Sequence, residues 1–422
     1  MTGFLVLGAA LTGCMKSESD DDPGDPTSSG NGASGPGAGA AGGAGNAGAG
    51  GNPTASGGGG SGGGSTLTAC STTQLLLGNP YFTGDLEGWN PDGQPLLADP
   101  PLRNRHIAVH ADNVFVETQY EVWMTEGANV RRVAGDEFDP VYRYDPAGDC
   151  ADVRFITASG VTTLPNGNVV VTDSIGNGVV ELSGLPGACT AKPIAGNAVA
   201  IEDVDIGGDV ADPGDVDGPD ATAKTYGPEL PVSDEDGNIY FIDGGNSKIK
   251  KIANDAARTV TTLHDFASVD EASPLAMTAF GGKLYVVGVE AVSDFLWAIG
   301  TDAPGQFEEV FNQVGTFEEI GTSTTATMNG LTNDGEALIV GSAKGYIFRL
   351  STSGEQLATL AGTGQVVDFP PDLDFAAGVP ANETPIKAIS TIIGSVARKG
   401  NSILYAGTAA GVGFHVLDIA CE

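Results

Sequence analysis

The chain has 422 residues, enough for two average domains or for one large all-β domain. It contains 54 acidic and 19 basic residues, and its formal net charge at pH 7 is −35. A surface this acidic repels nucleic-acid phosphates and anionic lipid headgroups and attracts cations, so we exclude nucleic acid as a partner.

The N-terminus carries a short apolar segment, residues 4–11, which is too short to cross a bilayer as a helix. It runs into Leu11, Thr12, Gly13 and Cys14, a sequence that resembles the lipobox of bacterial lipoproteins. The resemblance implies that residues 1–14 are a lipoprotein signal peptide ending in Cys14. It also implies that the Cys14 thiol is lipidated and anchors the protein to a membrane. The alternative is a buried apolar strand with a cysteine placed by chance.

Residues 15–69 are rich in Gly, Ala and Ser, and they contain almost no large apolar side chain. Such a segment cannot bury enough surface to offset the entropy of an ordered chain, so we predict a disordered linker. For about 50 flexible residues the expected root-mean-square reach is on the order of 40 Å. The linker would therefore hold the domain 70–422 away from the membrane.

One strand-turn-strand unit recurs from residue 70 to residue 422. Its clearest copy is 238–243, rich in β-branched and aromatic residues, followed after a Gly-rich turn by a second strand over 248–252. Equivalent positions in the six copies are Val122, Val169, Ile239, Leu284, Leu338 and Ile403. In the first copy, a start within 106–116 is an alternative.

The unit, best seen over 217–252, resembles the NHL repeat. The segments 193–196, 217–223, 360–364 and 375–380 resemble the connectors of bacterial NHL arrays. The resemblance covers most of residues 106–419 and implies that each copy is one blade. We therefore predict an all-β, six-bladed β-propeller of NHL type, with a β-sandwich as the competing fold. Such propellers host both binding proteins and enzymes, so the resemblance does not specify an activity.

Besides Cys14 the chain has four cysteines, and none lies in a C-x-x-C motif that would indicate zinc or thioredoxin-like chemistry. Cys70 and Cys421 flank the repeats, so a bond between them would join the first blade to the last. Cys150 and Cys189 lie one blade apart, and we predict a bond that links adjacent blades. Disulfides fit an exported protein, whereas free buried thiols are the alternative.

The most unusual loop is the acidic segment 202–220, in which aspartates alternate with small residues. Calcium takes six to eight oxygen ligands, which this pattern can supply. The candidate calcium ligands are Asp203, Asp205, Asp209, Asp215, Asp217 and Asp220. The segment is not an EF-hand, because Gly214 stands at the twelfth position from Asp203. The alternative, which we favour, is a solvated acidic loop.

The other chemistry-bearing side chains form no short motif. The histidines are His106, His110, His264 and His415. None lies in an H-E-x-x-H zinc motif, and we interpret His106 and His110 as residues of one strand face. The aromatic residues considered for a carbohydrate face are Trp89, Trp123, Trp297, Tyr81, Tyr120 and Tyr240. We expect them to pack between blades. No catalytic residue is predicted, because no G-x-S-x-G elbow or P-loop is present.

These features predict a monomeric, membrane-tethered propeller of the bacterial cell envelope that acts as a non-enzymatic binding module. Its expected partner is a protein, peptide or glycan that docks on one propeller face or over the channel mouth. The alternative is a propeller-type hydrolase or lyase with an axial divalent metal, which would hold that metal stoichiometrically.

Overall fold

The computed structural model of the chain contains a domain made almost wholly of β-strands. The described residues are 67, 69–77, 106–118, 120–135, 143–199, 201–202, 213–220, 222–267, 272–290, 293–302, 305, 307–313, 328–342, 345–364, 366–367, 380–383, 386–387, 393–409 and 413–422. The predicted signal peptide 1–14 with Cys14, and nearly all of the predicted linker 15–69, lie outside them. Within the described ranges, no helix has the length and apolar character needed to cross a membrane.

The first three blades follow the outlying strand β1 (Cys70–Leu77). Blade 1 contains β2 (His106–His110), β3 (Asn113–Glu117), β4 (Glu121–Glu126) and β5 (Asn129–Gly135). After the short strands β6 (Arg143–Tyr144) and β7 (Gly148–Asp149), blade 2 contains β8 (Ala158–Thr163), β9 (Val169–Asp173), β10 (Gly178–Ser183) and β11 (Thr190–Gly196). After β12 (Ile201–Glu202), blade 3 contains β13 (Pro228–Ser233), β14 (Ile239–Asp243), β15 (Lys248–Ile252) and β16 (Val260–Asp265).

The last three blades complete the domain. Blade 4 contains β17 (Ala272–Phe280), β18 (Lys283–Glu290), β19 (Ser293–Gly300) and β20 (Phe307–Gln313). Blade 5 contains β21 (Met328–Asn333), β22 (Leu338–Ser342), β23 (Tyr346–Leu350) and β24 (Gln356–Ala361), and the short pair β25 (Val366–Val367) and β26 (Ile386–Lys387) follows it. Blade 6 contains β27 (Ile393–Lys399), β28 (Ser402–Ala409), β29 (Gly413–Cys421) and β1. Single 3-10 turns lie at Cys150–Asp152, Gly244–Asn246 and Ala381–Glu383.

The six sheets are arranged radially. The first strands β2, β8, β13, β17, β21 and β27 contact one another in that order, and β27 contacts β2, so the ring closes. Each sheet buries its faces against its neighbours; Val171 and Val180 of blade 2, for example, pack with Phe115 of blade 1. Glycine allows the close approach of the first strands, because a Cβ at Gly330 would lie 2.6 Å from Val396 Cγ2. The six-bladed propeller is therefore confirmed, and the β-sandwich is not the fold.

The ends of the chain close the ring. Strand β1 pairs antiparallel with β29 as the outermost strand of blade 6, with Cys70 opposite Cys421. Both predicted cystines are present. The second one differs in what it joins, because Cys150 follows β7, a strand that pairs with β11 at the edge of blade 2. The Cys150–Cys189 bond thus ties the incoming connector to blade 2.

The structure also settles the register of the first copy. Val169, Ile239, Leu284, Leu338 and Ile403 lie in the second strands of blades 2 to 6, but Val122 lies in β4, the third strand of blade 1. The alternative start within 106–116 is the right one, because β2 and β3 supply the first two strands. Adjacent strands of a hairpin share a two-residue period, so the hydrophobic pattern alone does not tell them apart.

Buried carboxylates end the second strands of blades 1 to 3. Asp173 accepts hydrogen bonds from the backbone N–H groups of Ile156, Thr157 and Gly176. Asp243 accepts from the backbone N–H of Tyr226 and from the side chain of Asn246. Each carboxylate thereby ties the loop that enters its blade to the turn that follows the strand. Burial raises the pKa of both groups above the ordinary range.

Candidate functional site

The central channel of the propeller is the candidate site. It encloses a cavity of about 420 Å³, to which the first strands of all six blades contribute. The turns between first and second strands, among them 234–236 and 281–282, line the same cavity. Its volume lies within the range of small-molecule pockets, roughly 300–1,000 Å³. The ring geometry therefore creates a ligand-sized space that belongs to no single blade.

The cavity lining mixes apolar and polar side chains. Its apolar part includes Val109, Leu230, Met277, Leu331 and Val396. Hydroxyl groups lie among them, including those of Thr162 and Thr332, both of which are partly exposed. A mixed lining of this kind can cover the carbon skeleton of a small molecule and still orient its polar groups.

Hydrogen bonds between neighbouring first strands place their residues at common levels along the channel. Ser233 Oγ donates to the carbonyl of Thr163 over 2.7 Å, and Thr163 Oγ1 donates to the carbonyl of Val109 over 2.8 Å. On the other side of blade 1, the N–H of Ile107 donates to Ser395 Oγ over 3.3 Å. These contacts join the first strands of blades 1, 2, 3 and 6 side by side around the channel.

Arg398 is the unusual charge in this lining. It is the last residue but one of β27, the first strand of blade 6, and only 6% of its surface is exposed. Its guanidinium donates to two backbone carbonyls, that of Gly400 over 2.9 Å and that of Asp334. No carboxylate of the described residues lies within ion-pair distance of it. A buried arginine whose charge is met only by carbonyl dipoles retains most of its desolvation cost.

Carboxylates line the wall across from Arg398. Blade 3 is opposite blade 6 in the ring, and its Asp234, Glu235 and Asp236 follow the end of β13. Asp302 of blade 4 adds a further exposed carboxylate. We call these four residues the acidic wall.

Asp234 is the member of the acidic wall held in place by hydrogen bonds. It accepts from the hydroxyl of Tyr240 over 2.7 Å and from the side chain of Asn238 over 2.8 Å. Burial and the Asp234 charge raise the pKa of Tyr240, so the phenol stays a donor. The lining is thus negative on one side and positive on the other.

The opposite end of the channel holds a histidine. His106 is the first residue of β2, and its Nδ1 lies 2.9 Å from Oε2 of Glu117. Glu117 is fully buried, whereas 20% of the His106 side chain is exposed toward the lining. The carboxylate holds the imidazole in one orientation. His106 is therefore a strand residue, as interpreted from the sequence, and it also lines the channel.

The described aspartates of the acidic segment meet lysines. The Lys250 ammonium is fully buried and lies 2.9 Å from Asp215, 3.0 Å from Asp243 and 3.6 Å from Asp217. Burial opposes its charge, but Asp243 and Asp215 outweigh that effect and raise the pKa of Lys250. A hydrogen bond from Lys248 lowers the pKa of Asp215 against the opposing effect of burial. Asp215 and Asp217 therefore both have a lysine partner.

The remaining calcium candidates are divided. Asp220 pairs with Lys192 over 2.7 Å, while Asp203, Asp205 and Asp209 lie outside the described residues. No group of three or more His, Cys, Asp or Glu side chains in the described ranges is arranged to hold a metal ion. Calcium binding by 202–220 stays a prediction. Its test is whether millimolar calcium raises the melting temperature of the protein and EDTA reverses the rise.

The remaining histidines and aromatic residues considered as site candidates lie in different parts of the chain. His264 lies in β16, the outermost strand of blade 3, and stacks on Phe307 with 4.7 Å between ring centroids. Burial lowers its pKa, which favours the neutral ring. Trp123, Trp297 and Tyr240 are buried between strands, as expected of core aromatics. The Trp89, Tyr81 and His415 side chains lie outside the described part of the chain.

Arg398 and the acidic wall were not singled out by their sequence context. A weak signal for them exists, because charged residues stand just before the second strand in several copies, as in 234–236 and 398–399. Polar residues such as Asp, Asn and Ser are common in hairpin turns, so this signal does not separate a channel residue from a solvated one.

Comparisons with known proteins identify similar folds. No protein-family model and no curated protein sequence matches the chain. A protein of unknown function from Bacteroides thetaiotaomicron has a TM-score of 0.54 at 13% identity, covering 84% of this chain and 77% of that one. An auxiliary nutrient binding protein from Bacteroides ovatus has a TM-score of 0.52 at 11% identity, covering 84% and 78%. These identities show a shared fold alone.

A streptogramin B lyase structure also matches, at 15% identity and a TM-score of 0.44, covering 77% of this chain and 96% of that one. A TM-score this low supports no argument about activity.

Proposed function

We propose that this chain is an extracytoplasmic binding protein that takes a small ligand into its central channel. The observation that carries the proposal is the cavity of about 420 Å³, whose mixed lining comes from all six blades. Two disulfides support an oxidising compartment. The description of one structure of the same fold as a nutrient binding protein agrees with this role.

The proposal includes the tether. Lipidation at Cys14 followed by the linker 15–69 would hold the propeller at the cell envelope and leave the channel open to solutes. The blades are proposed to be NHL repeats on the strength of the sequence resemblance. A protein, peptide or glycan docked over the channel mouth is the broader form of the same proposal.

A channel-blocking variant tests the site. Thr332 lines the cavity, so Thr332→Phe should fill part of it, while Thr261→Phe places the same ring on the exposed outer strand β16. A panel of sugars, amino acids, short peptides and carboxylic acids is screened by melting temperature and then by calorimetry. We expect a binder that Thr332→Phe weakens at least tenfold and that Thr261→Phe leaves unchanged.

Two results would count against this function. The first is a panel in which nothing binds, and the second is a ligand whose affinity does not respond to Thr332→Phe. Metal analysis of the same protein addresses the hydrolase or lyase alternative. About one equivalent of a tightly held divalent metal would favour that alternative.

A further inference from the structure

The charge distribution of the channel narrows the class of ligand. Only 6% of the Arg398 surface is exposed, and the residue lines the cavity. Hydrogen bonds to Gly400 and Asp334 use two of the five N–H donors of a guanidinium. Carbonyl oxygens carry no net charge, and no carboxylate of the described residues lies within ion-pair distance of the guanidinium; the carboxylate of Asp334 pairs with Arg349. An anionic group entering the channel would meet a desolvated cation, where charge-assisted hydrogen bonds are strongest.

A purely anionic ligand is disfavoured by the opposite side. The acidic wall, Asp234, Glu235, Asp236 and Asp302, lines the same cavity. Blade 3 is separated from blade 6 by two blades in either direction, so most of this wall is across the channel from Arg398. The chain as a whole carries a formal charge of −35, which also repels anions. A ligand that satisfies both sides therefore needs a negative group at one end and a positive group at the other.

Two lysines lie near the acidic wall. Lys251 donates to the carbonyl of Thr301, the neighbour of Asp302, over 3.0 Å, and its ammonium lies 5.7 Å from the ring centroid of Tyr240. Lys283 lines the cavity beside Asp302, but its ammonium lies 3.1 Å from Glu308 on the outer strand of blade 4. Both side chains of that pair are largely exposed, so the pairing is weak, but the four carboxylates of the wall outnumber the two lysines. The negative charge of the wall remains available to a positive group of the ligand.

We infer that the channel binds small zwitterions, namely amino acids or short peptides with a free ammonium and a free carboxylate. The carboxylate would pair with Arg398, and the ammonium would face the acidic wall. This inference rests on the proposed function, because it assigns a chemical class to the ligand of that same channel. A neutral sugar would leave Arg398 without a counter-ion, and it is the chief competitor.

Calorimetry with alanine, dialanine and trialanine on the full chain identifies the length that binds most tightly. The C-terminal amide and the N-acetyl form of that compound then remove one charge each. We expect either cap to weaken binding at least tenfold, equivalent to about 1.4 kcal/mol. Comparable binding of the capped and uncapped forms would overturn the inference.

Variants assign the two charges to their residues. Arg398→Gln should bind the free acid and its amide alike, whereas Arg131→Gln, on the outer strand of blade 1, should keep the tenfold preference for the acid. Asp302→Asn, at an exposed position, should reduce the preference for the free amine over its N-acetyl form. Arg398→Lys keeps the positive charge and replaces Arg398→Gln as the test if the latter does not fold. We expect it to bind the ligand more weakly but to keep the preference for the free acid over the amide.

The outcomes separate the inference from the proposed function. If no alanine compound binds while another molecule binds in a Thr332-dependent way, the zwitterion inference is wrong and the binding function stands. If a zwitterion binds but Arg398→Gln folds and leaves the acid-to-amide ratio unchanged, the assignment to Arg398 is wrong. If nothing in either panel binds, both proposals fall.

Discussion

Lys250 is a buried cation surrounded by three aspartates. The aspartates around it suggest a cation site, and the cation that the structure places there is the lysine itself. Its ammonium also donates to the carbonyl of Lys224 over 3.2 Å, so the network joins β15 to the acidic segment. A buried ion pair contributes little net stability when intact, but removing one partner leaves an uncompensated buried charge.

Removal of the Lys250 charge should therefore destabilise blade 3. We expect Lys250→Met to lower the free energy of unfolding by about 3–5 kcal/mol, because Asp243 stays buried without its cation. Lys192→Met is the matched control, since it breaks the exposed pair with Asp220 and should cost at most about 1 kcal/mol. Denaturant titration of both variants checks the difference. Equal losses would show that the Lys250 network contributes no more than a surface pair.

Asp334 gives the propeller a sensitivity to acid. Arg349 Nε lies 2.6 Å from its carboxylate, and the backbone N–H groups of Glu336 and Ala337 donate to it. Burial alone would raise its pKa, but these hydrogen bonds together lower it. Because the folded pKa lies below the unfolded value of about 3.9, the stabilisation is complete above that value. It is lost as the pH falls through the folded pKa.

We therefore expect the stability cost of Asp334→Asn to depend on pH. The cost should be largest near neutral pH. It should shrink as the pH falls below about 4, because there the carboxylate is protonated in the unfolded chain before it is protonated in the folded protein. Urea unfolding of wild type and variant across this range measures it. Asp112→Asn, at an exposed turn of blade 1, is the control. A cost that stays constant with pH would contradict the assignment to the Asp334–Arg349 pair.

At the scale of elements, β1 closes the ring, and it is far in sequence from the strand it pairs with, β29. Strand β1 pairs with β29 across nearly the whole domain, so its pairing costs more loop entropy than any hairpin within a blade. The Cys70–Cys421 bond spans 351 residues of sequence, whereas the Cys150–Cys189 bond spans 39. In the chain-entropy model a longer loop gives a greater constraint on the unfolded chain.

Removing the two disulfides should have unequal effects. We expect the double variant Cys70→Ser and Cys421→Ser to lose about 2 kcal/mol more stability than Cys150→Ser with Cys189→Ser. Thermal unfolding of both variants under the same conditions compares them. A larger loss for the Cys150–Cys189 variant would mean that the connector to blade 2, and not the closing strand, limits the stability of the ring.

At the scale of the whole molecule, the expected anchor is tested by location in the cell. In a bacterial host that lipidates exported proteins, Cys14→Ser should move the protein from the membrane fraction to the soluble fraction, because the proposed thioether-linked lipid cannot form. Labelling with a fatty-acid analogue should disappear in the same variant. Cys70→Ser with Cys421→Ser leaves Cys14 in place and should keep the label. Membrane retention of the Cys14→Ser protein would remove the lipid anchor from the proposal.

The repeated strands could be predicted from the sequence because the pattern of each blade depends on residues that are close together in the chain. A β-branched run, a Gly-rich turn and a second alternating strand need only neighbouring residues to be identified, and six such units cannot bury their faces except against one another. The Cys70–Cys421 pair followed from the same ring closure, whereas the Cys150–Cys189 pair was predicted as a link between adjacent blades and instead ties a connector to blade 2. The register of blade 1 was less certain, since β3 and β4 carry the same two-residue period.

The candidate site depended on the three-dimensional arrangement. Arg398 and Asp234 are separated by nearly half of the domain in sequence, and their places on opposite walls follow from the order of blades around the channel. Lys250 likewise meets Asp215 and Asp217 because the acidic segment folds back onto β15. Local patterns determined the six blades and the residues that pack between them. Only the closed ring decided which charges face one another, because that depends on strand order and on distances that no short stretch of sequence contains.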